Sequence, residues 1–101
     1  MKAMIEHRKS ERFSHESPVM LEDFCTGFEY IGIMCNYSNG GMYIESDYAP
    51  RPERKIRIIV DNLPLNSSPQ SYIAEIRWRR ILYGNSVYTY GIGVKCFDRS
   101  I

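Results

Sequence analysis

Two arginines, Arg8 and Arg12, stand four positions apart in the segment Arg8-Lys9-Ser10-Glu11-Arg12. Arginine offers a planar fork of donors that can grip a phosphate with two hydrogen bonds, meet the O6 and N7 acceptors of guanine, or stack flat on a base. Two such forks suit a ligand that carries several phosphates and purines. Ordinary solvated charged tails show the same spacing, so this pair does not by itself define a site. A second polar cluster, Asn36-Tyr37-Ser38-Asn39-Gly40-Gly41, follows at the junction of two strand-like stretches. The Asn36 carboxamide and the Ser38 hydroxyl each bring donor and acceptor atoms and can address a base edge. Gly40 and Gly41 permit positive φ and leave no side chain between the backbone and a ligand. A plain hairpin turn draws on the same residue types.

Other chemistries find less support. Cys25, Cys35 and Cys96 are odd in number, widely spaced and set among apolar or aromatic residues, so they are read as reduced and buried rather than as a disulfide framework or zinc ligands. His7 and His15 have no carboxylate or thiol at ligand spacing, and no metal or other cofactor is expected. No nucleophile with a base, and no carboxylate pair at a workable separation, suggests an enzyme. The formal net charge of +1 argues against a duplex nucleic-acid binder. A mixture of Arg77, Arg79 and Arg80 with Tyr83, Tyr88 and Tyr90 is the place where a single strand would be gripped, a reading the near-neutral charge disfavours. No apolar run reaches the length of a membrane span, and the first residues lack the apolar stretch of a secretory signal, so the cytosol is the expected location.

The elements that must position these residues read as strands. A chain of 101 residues suits one domain with one modest core. Residues 1–17 form a polar arm of mixed charge, and from Pro18 the pattern changes to short apolar or alternating runs separated by turns. The clearest strand is Lys55 to Val60, where Ile56, Ile58 and Val60 define one apolar face. In Tyr72 to Arg79, Ala74, Ile76 and Trp78 share a face, which makes Trp78 a core residue, with a place against the ligand as the secondary reading. Arg77, Arg79 and Arg80 form a solvated face, although Arg80 breaks the alternation and can turn toward the ligand. Val19 to Cys25, Phe28 to Asn36, Met42 to Ser46 and Val87 to Phe97 complete a set of six. In the last of these, Gly91 and Gly93 fall on one face and suggest a bend or a close backbone approach. Six short strands with frequent turns imply an all-β barrel or sandwich over residues 18–101, with little or no helix after Phe97.

The two polar clusters together resemble the paired signature of the PilZ domain family, R-x-x-x-R followed some two dozen residues later by [D/N]-x-S-x-x-G. Arg8 and Arg12 match the first motif, and Asn36, Ser38 and Gly41 the second. Met42-Tyr43-Ile44, Ile76-Arg77-Trp78 and the closing Gly91-Ile92-Gly93-Val94-Lys95-Cys96-Phe97 are similar to later family segments in the same order. The resemblance implies a six-stranded antiparallel barrel of split-barrel or Greek-key type, bacterial origin, and binding of cyclic di-GMP without turnover. It assigns Arg8 and Arg12 as a clamp on phosphates and guanine edges, Asn36 and Ser38 as base readers, and Gly41 as the residue that keeps the surface open. Lys9, Gly40, Trp78 and Arg80 are expected as secondary contacts. Two positions depart from the common pattern. Asn36 replaces the more frequent Asp, exchanging a charged acceptor for a neutral one at a cost of about 1 kcal/mol in the contact to guanine donors. His7 stands where many members carry another basic residue, which leaves the number of bound ligand molecules open. The implied protein is a monomer or weak dimer that relays the signal to a separate, unidentified protein target. The competing reading is a PilZ-like protein-interaction module that binds no nucleotide.

Overall fold

The computed structural model describes the backbone over residues 12–38, 40–60 and 70–100, and the side chains over 16–38, 40–60 and 71–97. Arg8 and Lys9 lie outside these residues. Six strands follow in order: β1 (Arg12–Asp23), β2 (Glu29–Ser38), β3 (Gly41–Ser46), β4 (Lys55–Val60), β5 (Gln70–Ile81) and β6 (Tyr90–Ser100). They close into a barrel in the order β1-β2-β3-β6-β5-β4, with β4 returning to pair with β1. Every pairing is antiparallel. The topology is thus two three-stranded meanders, β1-β2-β3 and β4-β5-β6, joined by the β3–β4 connection and sealed along β3–β6 and β1–β4. Among the described residues there is no helix, and so no helix long and apolar enough to cross a membrane.

Period-two patterning accounts for the interior. Leu21 of β1, Met34 of β2, Ile44 of β3, Ile56, Ile58 and Val60 of β4, Ala74 and Ile76 of β5 and Ile92 of β6 are all buried and form one cluster with Val19, Met42 and Val94. Each full burial of an aliphatic side chain of this size contributes roughly 1.5–3 kcal/mol. The turns use the expected chemistry: Gly27 and Gly40 take positive φ at the β1–β2 and β2–β3 connections. Glu53, in the β3–β4 connection, is the one non-glycine with positive φ among the described residues, at 77°.

Three expectations need correction. The first strand starts at Arg12, well before Val19, because Arg12, Phe13 and Ser14 are in register with Ser38, Tyr37 and Asn36 of β2, and backbone pairing carries the strand back beyond the apolar run. Trp78 is not core. The β5–β6 register shifts between Ile76 and Trp78, so the extra residue Arg77 reverses the alternation and puts the indole, 43% exposed, on the outer face. Cys25 is exposed, carried to the surface by the turn after β1, where the Arg54 guanidinium donates to its sulfur at 3.1 Å. Cys35 and Cys96 are partly buried, and burial pushes the Cys96 thiol up to about 11.

Candidate functional site

Because Met42 and Ile44 point inward, their neighbours Gly41, Tyr43 and Glu45 face out; on β6, buried Ile92 and Val94 likewise put Gly91, Gly93 and Lys95 on the outer side. The second polar cluster reaches this outer face through a bulge. The β2–β3 register shifts between Met34 and Asn36, so the extra residue Cys35 turns Asn36 and Ser38 outward while Tyr37 packs against the core. Without that residue Asn36 would share the inner face of Met34.

Two lateral rows result. In one, Arg12 is the partner of Ser38, Ser38 of Gly41, and Gly41 of Lys95. In the other, Ser14, Asn36, Tyr43, Gly93 and Trp78 follow one another across five strands. The structure therefore brings Asn36, Ser38, Gly41 and Trp78 together on one face, with the backbone of Arg12 beside them.

Tyr43 and Trp78 stack with ring centroids 5.8 Å apart and planes 23° from parallel. The Arg80 guanidinium lies over both rings, 5.5 Å from the Tyr43 centroid and 5.6 Å from that of Trp78, and donates to the Tyr43 hydroxyl at 3.3 Å. That hydroxyl in turn donates to Glu45 Oε2 at 2.9 Å. Burial raises the Tyr43 pKa, so the phenol stays protonated and the Arg80–Tyr43–Glu45 chain keeps its polarity at neutral pH. The rings sit where two glycines make room: a β-carbon on Gly91 would meet the Tyr43 ring, and one on Gly93 would meet the Trp78 indole. Sequence reasoning missed Tyr43; the signal was the glycine pair on one face, whose close approach proves to be by aromatic side chains.

The hairpin tip adds shape. Gly40 has φ 87° and accepts a hydrogen bond from the Cys96 amide at 2.8 Å. A β-carbon on Gly41 would lie 3.1 Å from the Val94 carbonyl oxygen, so this glycine also allows β3 and β6 to approach. Ser38, Gly41 and Met42 border two concavities. One, of about 180 Å³, extends toward Tyr72 and Cys96, and the other, of about 80 Å³, toward Arg77 and Trp78. Among the described residues no three His, Cys, Asp or Glu side chains gather as a metal site.

These features define a small closed antiparallel barrel with a polar and aromatic outer face around its β2–β3 hairpin. Within that class, the chain belongs to the PilZ domain family, whose profile matches residues 6–101. PilZ domains are in general binding or adaptor domains without catalysis, known for cyclic di-GMP binding and for contacts with other proteins. Among solved structures, the chain is similar to the Bacillus subtilis inhibitor of motility (MotI/DgrA), with a TM-score of 0.68 and 16% identity over 95% of the chain. The chain spans 44% of the length of that structure. No curated protein sequence matches the chain.

Proposed function

We propose that the chain is a bacterial, cytoplasmic receptor for cyclic di-GMP that binds the messenger without turnover and passes the signal to a separate protein. The observation that carries this reading is the register of Arg12 with Ser38, which sets the end of the arginine motif beside the middle of the Asn36-x-Ser38-x-x-Gly41 motif. Arg8 and Arg12 clamp phosphates and guanine edges, Asn36 and Ser38 read a base, and Gly41 leaves the approach open. Lys9 and Gly40 flank these contacts. Trp78 and Tyr43 extend the same face as a stacking surface, and Arg80 supplies a further guanidinium within it.

Calorimetric titration of the chain with cyclic di-GMP tests this. Saturable heat is expected, and Arg8→Ala and Arg12→Ala are each expected to weaken binding by about tenfold to a hundredfold, since each removes a charge-assisted contact worth about 1.5–3 kcal/mol. Absence of heat and of any shift in melting temperature at high ligand concentration would leave the protein-interaction module in its place.

A further inference from the structure

The barrel carries another concavity at the far end of β2. It measures about 320 Å³ and is bordered by Glu29, Tyr30, Ile31, Asp47, Tyr48 and Tyr88. Asn36 and Ser38 end the same strand that Tyr30 and Ile31 begin, so roughly 20 Å of extended backbone separates the two places.

Its walls are held in place. Tyr30 and Tyr48 stack at 4.0 Å with planes 2° apart, and the Tyr48 hydroxyl donates to Asp23 Oδ2 at 2.6 Å. Buried Ser46 donates to the Ile31 carbonyl at 2.8 Å and accepts from the Tyr48 amide at 3.1 Å. Asp47 Oδ1 accepts the Thr89 amide at 2.8 Å, fixing the loop that bears Tyr88. The ordering entropy that a partner would otherwise have to overcome is thus largely spent on folding.

The chemistry of the rim selects the occupant. Glu29 and Asp47 both border the cleft and are exposed. Glu29 is also the cross-strand partner of another carboxylate, Glu22, which is already engaged by Arg57 at 3.3 Å. Two exposed carboxylates repel phosphates and attract a cation, and tyrosine faces favour the planar guanidinium of arginine. Beside them Ile31 is 66% exposed and Phe28 64%, an apolar area that water solvates poorly.

We infer that this end of the barrel docks a segment of a partner protein in which an arginine lies next to an apolar residue, the guanidinium entering between Glu29 and Asp47 and the apolar neighbour covering Ile31. The cleft shares no lining residue with the two concavities around Ser38 and Gly41.

The test uses the full chain, labelled with nitrogen-15, and a blocked pentapeptide Gly-Leu-Arg-Leu-Gly, with Glu in place of Arg as the control peptide. At about 10 mM peptide, amide shifts are expected at Tyr30, Ile31, Asp47, Tyr48 and Tyr88 with the arginine peptide and not with the control, while Ser38 and Gly41 stay still. Glu29→Lys, an exposed position whose change does not threaten the fold, is expected to weaken the response by about twofold to fivefold. Equal shifts with both peptides, or none in the cleft, would overturn the inference. Concentration-dependent shifts of the cleft amides without peptide would overturn it too, by assigning the surface to a second copy of the chain. Cyclic di-GMP titrated into the same sample reads the other end separately.

Discussion

Trp78 and Gly93 are cross-strand partners on β5 and β6, and the indole occupies the space that a β-carbon at position 93 would need. A tryptophan is stiff and broad, so the ring cannot slide aside as the tip of a long flexible side chain can. The neighbouring Gly91 faces chiefly the hydroxyl end of Tyr43.

Gly93→Ala is therefore expected to destabilise the barrel by about 1–3 kcal/mol, as overpacking does, and to break the Tyr43–Trp78 stack. Thermal melting together with tryptophan fluorescence checks it. An unchanged melting temperature would mean that the indole has another place to go.

Removing the ring instead separates the binding role proposed for it from its packing role. Trp78 is the sole tryptophan and is 43% exposed, so Trp78→Ala leaves the interior intact. Its affinity for cyclic di-GMP is expected to fall by about tenfold, the scale of a lost base-stacking contact. In the parent chain, tryptophan emission should change on titration with the ligand. Unaltered affinity would confine Trp78 to packing.

The interior of the barrel was open to reading from the sequence because burial on one side of a strand writes a period of two, and Lys55–Val60 comes out with the expected bounds. What stayed hidden were the departures from that period. A single extra residue, Cys35 in β2 or Arg77 in β5, reverses every later side chain, and no residue type announces it. The Arg12–Ser17 stretch of β1 carries no alternating apolar residues, so its pairing with β2 shows only in the register. For the candidate site, the motif positions were legible as types and spacings, and the structure adds the common face of Asn36, Ser38 and Gly41 with the backbone of Arg12 beside it, Arg8 lying outside the described residues. Tyr43 and its contacts with Trp78 and Arg80 were not, because they join residues far apart in the chain through glycines on a strand between them.

Buried Asp23 gives the fold a pH dependence. It accepts from the Tyr48 hydroxyl, which lowers its pKa most, with the Cys25 and Thr26 amides and Arg54 acting in the same direction against the effect of burial. The folded value therefore lies below the ordinary 3.8. The resulting stabilisation is fully present above the unfolded value and is lost as pH falls through the folded one. Melting temperature is expected to decline from about pH 5 to about pH 3. Asp23→Asn should melt lower at neutral pH and follow a flatter acid limb. Parallel curves for the two proteins would refute the assignment.

Glu53 holds a φ of 77°, a region that costs an L residue about 1–2 kcal/mol. Its amide donates to the Ile76 carbonyl at 2.7 Å, which ties the β3–β4 connection to β5 and keeps the residue there. Glu53→Gly is expected to raise stability by about 0.5–1 kcal/mol, the relief exceeding the extra freedom glycine gains in the unfolded chain. Chemical denaturation measures the sign directly. A loss would mean that the glutamate side chain contributes something the backbone does not.

The ring of pairings from β1 round to β4 has a consequence for how this domain meets other molecules. Each strand has a hydrogen-bonded neighbour on both sides along part of its length, so a visiting peptide could stitch itself on as a seventh only where a strand outruns its neighbour, as β1 does over Arg12–Ser17 beyond its pairing with β4. Along the doubly paired stretches, recognition has to be written in side chains on the outside of the cylinder and at its rims, where one substitution can redirect a partner without disturbing the wall beneath.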